Sequence, residues 1–400
     1  DPCWTAARRA TIPRAMHKPR FDPRHLLRQR QALAWLVRIG LVAAASRAMV
    51  PRTPYVMVGP PQVVETTHPI TCVHTRLIDE VEEWKIQRSL QIVREMGGTA
   101  VVEFFPWAYA ETAPGRFNWE RFDTIVEHAR AQGLTVIARL GLVPSWAQPD
   151  PDSIDFELTL NTLLPANDED FARFVEAFTA RYQDDVEAVI IWNEPNLAFE
   201  WGYQRVDPER YVRLLRTATP AAHRGNPNVT VLAGALAPTL EPVGSPYGMN
   251  DLDYLRRLYE AGFKDTFDAL AVHSYGFRFP PDEPPAPDVL NFRRVELLRA
   301  IMVEYGDGDK PVVITESGWN DHPRWTKAVR PGQRIGYTIQ AFEHAEDNWP
   351  WVERLCVWAL RYPAPLRSYP DYFTLVGPDF TPKPIYTALQ AWARGWPGQE

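Results

Sequence analysis

The chain predicts an α/β fold, a (β/α)8 TIM barrel with an N-terminal extension. Three observations lead there. Its 400 residues suffice for one large barrel with additions. From about residue 66, short runs rich in Val, Ile and Leu alternate with stretches of helical periodicity. Eight such pairs occur, and repeated βα units imply a parallel sheet that eight strands can close into a barrel.

Taken in order, the predicted strands are 69–74, 99–105, 134–140, 187–192, 229–234, 268–273, 311–316 and 354–360. The helices between them are 79–96, 119–132, 167–182, 207–224, 250–261, 290–305 and 332–348, with a last one at 384–394. Helix-start chemistry supports two of these directly. Asn118 precedes Trp119-Glu120-Arg121, and Asn167 opens an acidic first turn, Asp168-Glu169-Asp170. The loops at 141–166, 235–249, 274–289 and 317–331 all follow strands. They therefore gather on the C-terminal face, where barrel active sites form.

Three regions divide the chain: a basic leader at 1–50, a Pro-rich linker at 51–65 and the barrel at 66–395. Ten Lys/Arg against two Asp give the leader a charge of +8, so of the net −7 the remainder carries −15. An acidic body argues against nucleic acid as the ligand and suits a neutral oligo- or polysaccharide. Within the leader, residues 33–45 form an apolar stretch behind a basic flank, which reads as a signal peptide or signal anchor. Ala43, Ala45, Ser46 and Ala48 supply cleavage positions. On this reading residues 33–50 attach the protein to a membrane or export it, and it works outside the cytoplasm. Arg38 opposes that reading, at about 2.5–3.5 kcal/mol on insertion scales. The alternative is an amphipathic helix or an unstructured leader on a cytoplasmic protein. Of the three cysteines, Cys72 and Cys356 fall in predicted barrel strands and read as buried thiols rather than a disulfide. No Cys/His spacing suggests a metal, and Gly306-Asp307-Gly308 reads as a turn rather than a nucleotide loop.

Two glutamates carry the candidate chemistry. Glu194 follows the apolar run of the fourth strand in Trp192-Asn193-Glu194-Pro195-Asn196. Glu316 ends the seventh in Thr315-Glu316-Ser317-Gly318-Trp319. Carboxylates at the C-terminal ends of barrel strands point to catalysis. Two facing one cleft are the minimal machinery for breaking a glycosidic bond. Glu194 is the candidate acid/base, with a pKa raised by burial and by the second carboxylate, and Glu316 the nucleophile. Asn193 is placed to bind a substrate hydroxyl. His273 and Tyr275 end the sixth strand, where the Tyr hydroxyl can hold Glu316 ionised and oriented. Trp358, on the eighth strand, is either the floor under the reacting sugar or a core residue. Trp319 is expected to wall the cleft. Trp107, Tyr109, Trp146, Trp201, Tyr203 and Trp325 lie in loops expected to rim it, because a flat ring matches the C–H face of a pyranose.

These motifs resemble the glycoside hydrolases of clan A, which include family 5 cellulases, family 39 β-xylosidases and family 42 β-galactosidases. The likeness covers about residues 66–395. It rests on Asn193-Glu194-Pro195, His273-Ser274-Tyr275, Glu316 in its Thr-Glu-Ser-Gly-Trp run, and Trp358. Two further marks are the segment from Glu111 to Asp123, similar to the entry to the second helix in families 39 and 42, and Pro382-Lys383-Pro384. The resemblance implies retaining double displacement on a β-linked or α-L-arabino glycoside, with no cofactor. It departs in two respects. Family 5 tends to carry a His at the end of the third strand, and none follows Leu140 here. Clan members carry an Arg at the end of the second strand, where this chain reads Val101-Val102-Glu103-Phe104-Phe105-Pro106-Trp107. Arg139, ending the third strand, is the candidate replacement. Two other readings stay open: a sugar-binding barrel without chemistry, and a transglycosylase acting on an envelope glycan.

Overall fold

The computed structural model describes residues 31–41, 56–150 and 162–396. Residues 1–55 and 56–400 form two separate units. In the first, residues 31–41 form a helix with exposed side chains, and Arg38 lies over the Trp35 ring. The rest of the basic leader and the cleavage positions at 43–48 lie outside the described residues. Among the described residues no helix is long and apolar enough to cross a membrane.

The second unit is a closed barrel of eight parallel strands. They are β1 (Thr71–His74), β2 (Ala100–Pro106), β3 (Thr135–Gly141), β4 (Val186–Ile191), β5 (Thr230–Leu236), β6 (Ala269–Tyr275), β7 (Val312–Gly318) and β8 (Val352–Val357). Each pairs with the next, and β8 returns to β1. Eight helices follow them: α1 (Glu83–Met96), α2 (Glu120–Ala131), α3 (Asp168–Arg181), α4 (Pro208–Gly225), α5 (Asp251–Glu260), α6 (Val295–Glu304), α7 (Pro331–Asn348) and α8 (Pro384–Ala393). The Asn167 side chain accepts from Glu169 N at the start of α3, so the acidic first turn sits on a capped end. Part of the 51–65 segment lies against the barrel, where Gln62 N donates to Ala131 O at the end of α2.

Alternation along the strands builds two cores. One set of side chains, including Val73, Val101, Val136, Val189, Val231, Leu270 and Ile314, packs outward under the helices. The other, including Ala100, Val102, Ile137, Ala188, Ile190, Leu232, Ala271 and Val313, fills the barrel interior. Cys72 and Cys356 belong to this inner set and are joined by a disulfide. This corrects the expectation of two buried thiols. Barrel closure sets β1 beside β8 with Cys72 and Cys356 in register, a juxtaposition across 284 residues that no local pattern carries.

Two irregularities aim side chains at the C-terminal face. On β7 the register against β6 runs Val272↔Ile314 and then His273↔Glu316. The extra residue, Thr315, resets the alternation, so Glu316 points inward as Val313 does. On β5 a second shift falls between Gly234 and Leu236, where Gly234 and Ala235 both have positive φ. The turned Ala235 carbonyl accepts from Glu194 N at 3.1 Å. Asn196 ties the same seam: its side chain donates to Ala237 O and Met249 O and accepts from Ala237 N. Beneath it, the buried Tyr211 hydroxyl donates to Ile191 O on β4 and accepts from Gly234 N on β5, both at 2.7 Å.

Removing that hydroxyl leaves a buried N–H and a buried C=O without partners. Tyr211→Phe should therefore lower unfolding free energy by about 1–3 kcal/mol in urea titration. A variant as stable as the parent would show that the hydroxyl does not hold the β4–β5 seam.

Candidate active site

The strand ends converge on one buried polar cluster. His273, an inward residue near the end of β6, has Nδ1 2.7 Å from Glu194 Oε1 and 3.5 Å from Glu316 Oε2. Its side chain is 2% exposed, against 17% for Glu194 and 9% for Glu316. One ligand atom from each of the three lies within 4.8 Å of the others, a spacing that could also hold a metal ion. Tyr275 OH donates to Glu316 Oε2 at 2.7 Å. Arg139 Nη1 stands 3.9 Å from Glu316 Oε1, with its guanidinium over the Phe104 ring at 4.5 Å. Arg139 on β3 thus reaches a carboxylate on β7, four strands away around the barrel, while its guanidinium covers Phe104, its paired residue on β2. Opposite, His74 at the end of β1 has Nε2 3.6 Å from Glu316 Oε1, while its Nδ1–H donates to Thr75 O.

Backbone strain concentrates where the acid is presented. Trp192 and Glu194 have φ of 73° and 40°, in the left-handed region that non-glycine residues seldom adopt. Such outliers persist only where the surroundings over-determine them, as the Asn196 bonds and the Ala235 carbonyl do here.

Burial decides the protonation of this cluster. Glu194 is pushed up to about 7 by loss of water, against which Arg139 pulls only partly. Glu316 is also raised by burial, and Glu194 adds to the rise, but His273, Arg139 and the Tyr275 hydrogen bond hold it down. Burial lowers His273 and His74, disfavouring their charged forms. Both carboxyls are thus raised, with Glu194 titrating near neutrality and Glu316 the better supported as an ion.

The cluster floors a cleft of about 470 Å³ lined by Arg139, Asn193, Glu194, Tyr275, Glu316 and Trp358. Trp358 stands edge-on to His74, with ring centroids 4.4 Å apart, and faces the cleft as a floor residue. Asn193 turns toward the cleft with its Oδ1 buried and unpartnered, free to meet a hydroxyl. Two expected wall residues lie elsewhere. Trp107 is fully buried: a helical turn after Pro106 swings it into α3, stacked on Phe174, with Nε1 donating to Glu111. Trp319 is buried too, its indole pressed on Gly276 so closely that a Cβ there would lie 1.9 Å from the ring. Its Nε1 donates to Phe279 O, pinning the loop after β6. Trp146 and Trp201 are likewise tied into protein contacts, and Tyr109 and Tyr203 are exposed but line no part of the cleft. Of the six rim aromatics expected, Trp325 alone is on the cleft wall.

The structure adds residues that sequence reasoning passed over. Glu200 brings a third carboxyl to the cleft, raised by burial. Arg76, Phe199, Phe277, Tyr362 and Tyr369 complete the walls. All come from the segments that follow strands, three of them (Phe199, Glu200 and Tyr369) in single 3-10 turns, too short for a periodicity to mark which way a side chain faces. His74 had a weak signal as the polar last residue of an apolar strand.

No family model matches the chain, and no curated protein is detectably similar in sequence. Solved structures do match in fold. A family 39 glycoside hydrolase from Bacteroides cellulosilyticus superposes with a TM-score of 0.65 at 20% identity, over 84% of this chain and 65% of that one. The chain thus spans just under two thirds of that protein's length. A family 5 subfamily 18 glycoside hydrolase from Streptomyces cattleya, solved with GlcNAc, gives 0.60 at 16% identity, covering 82% and 81%. A psychrophilic family 10 endo-β-1,4-xylanase gives 0.51 at 15%, covering 81% and 96%. The fold is the (β/α)8 barrel shared by these clan A glycoside hydrolase structures.

The raised carboxyl has a stability consequence. Between the unfolded value near 4.5 and the folded value of about 7, the native state holds a proton that the unfolded chain has lost. Stability from this group therefore falls as pH rises through that window, by about 3 kcal/mol at most. Glu194→Gln removes the ionisation. It should be more thermostable than the parent at pH 8 and gain little at pH 4, in paired melting curves. An equal gain at both pH values would contradict the buried neutral acid.

Proposed function

We propose that this chain is a retaining glycoside hydrolase acting on β-linked glycosides, with Glu194 as acid/base and Glu316 as nucleophile. The observation that carries the reading is the unlike environment of two nearby carboxyls. One is raised to about 7 by burial, and the other, though also raised, is drawn back toward the ion by an arginine and a tyrosine hydroxyl. Ligand oxygens within 4.8 Å favour the close carboxyl spacing of retention, about 5–5.5 Å, over the wider gap that inversion needs for a water.

In the first step a Glu316 oxygen attacks the anomeric carbon while the glycosidic C–O bond breaks. The departing oxygen takes the Glu194 proton, leaving a glycosyl ester on Glu316 and an ionised Glu194. In the second, Glu194 takes a proton from water as the water oxygen attacks the same carbon. The ester bond breaks, and Glu316 returns to the ion. Ionised Glu194 in the intermediate relieves the demand that one carboxyl stay neutral, because Glu316 has then lost its charge to the ester. Tyr275 and Arg139 orient Glu316 for attack, and His273 shares the hydrogen bond that positions Glu194. Asn193 is placed to bind the sugar hydroxyl next to the anomeric carbon, and Trp358 to meet the ring face.

A panel of nitrophenyl β-glycosides tests the reading. The wild type should hydrolyse at least one. Glu316→Ala should lose on the order of 10³-fold or more in kcat, and Glu194→Ala should recover rate when azide replaces water as nucleophile. The wild-type pH profile should be a bell. It should fall on the acid side as Glu316 protonates and on the alkaline side near pH 7 as Glu194 ionises. Equal background rates for wild type and Glu316→Ala would leave a sugar-binding barrel without chemistry.

A further inference from the structure

A second basin of about 720 Å³ opens beside the cleft, between the loops that follow β7 and β8. Trp325 lines both cavities, so its indole is a wall they share. The ring stacks on Tyr369, with centroids 5.4 Å apart and planes 25° from parallel, and meets Phe373 edge-on. Further along, Tyr372 lies in edge contact with His322 at 4.6 Å, and both line the second basin but not the cleft. Tyr369 is half exposed and Tyr372 about a third, so the ridge presents ring surface rather than filling a core.

Polar groups flank these rings with both signs of charge on the wall, Asp321 and Arg330, and Arg330 Nε lies 3.4 Å from Gln333 Oε1. Asp321, on the basin wall, is 3.5 Å from Arg334 of α7 and so already paired. Gln333 and His322 offer hydrogen-bonding groups without fixed charge. The two loops are joined: Asn320 Nδ2 donates to Tyr369 O at 2.7 Å, and Arg334 donates to Phe373 O and Thr374 O. The basin is therefore preformed, and its walls need not be ordered at binding. Ring faces, neutral donors and a fixed shape suit uncharged sugar rings, each with an apolar C–H face and a polar edge.

We propose that the substrate cleft continues past Trp325 into this basin, which binds neighbouring sugar residues of the same neutral glycan chain. The inference rests on the glycosidase reading for its substrate, but its test separates the two. On this arrangement the protein acts on chains of several sugars, and Tyr372 and His322 contribute only when the chain is long enough to reach them.

The probes are the nitrophenyl β-monoglycoside that the wild type accepts best and oligosaccharides of two to six units, from the cello-, xylo- and manno- series. Wild-type kcat/KM should climb at least tenfold with chain length in one series. Tyr372→Ala and His322→Ala should lose most of that gain while leaving the monoglycoside rate within about twofold. Near-UV circular dichroism checks that both variants are folded. Calorimetric titration of the same oligosaccharides into Glu316→Ala, with and without Tyr372→Ala, reads binding apart from chemistry. Tyr372-dependent binding of the longer chains by a protein that hydrolyses nothing would support the basin and remove the catalytic reading. Hydrolysis independent of chain length, or binding that Tyr372→Ala leaves unchanged, would overturn the basin and leave the catalytic reading standing.

Discussion

The constraint on which this site depends is the lack of water around two carboxyl groups set close together. A buried carboxylate is costly, and a second beside it costs more. The barrel supplies one nearby guanidinium, Arg139, and two imidazoles whose charged forms burial disfavours. That environment favours one negative charge over two. Because Tyr275 and Arg139 both reach Glu316, that carboxyl is the better supported as an ion, while burial raises Glu194 to about 7. The division of labour proposed for Glu194 and Glu316 would follow from solvation and from the hydrogen bond that only Glu316 receives from Tyr275.

The scaffold around this constraint is built to hold it. The β7 irregularity turns Glu316 inward to face His273, and the β5 irregularity offers a carbonyl to Glu194 N. Asn196 and Tyr211 lock the seam between β4 and β5, so the strained backbone at Glu194 is supported on both sides. Trp319, pressed on Gly276, joins the loops after β6 and β7 and so fixes the approach of Tyr275. Large aromatic residues near the site thus do two jobs: some bury themselves to set loop positions, and others face the cleft.

Much of this was legible in the sequence, and the boundary is physical. Strand and helix periods read out all eight βα units, since alternation and helical spacing are local. The strand-end positions of Glu194, Glu316, His273, Tyr275 and Arg139 placed them on one face, and the structure brings these five together. What failed to read was direction in irregular backbone. Trp107 and Trp319 each follow a strand directly, as cleft residues do, but a helical turn and a close glycine send both into the protein. Glu200 sits in a single 3-10 turn, Ala198–Trp201, too short for a period to expose its facing. The Cys72–Cys356 pair depends on how the barrel closes, which is a long-range property.

The stereochemistry of the first product tests the central claim most directly. Proton NMR of a nitrophenyl β-glycoside reaction, recorded before mutarotation, distinguishes the anomers. Double displacement through Glu316 predicts the β-anomer as the first signal, with the α-anomer appearing only later. An α-anomer formed first would mean single displacement, and would contradict both the role of Glu316 and the shared-charge arrangement that supports it.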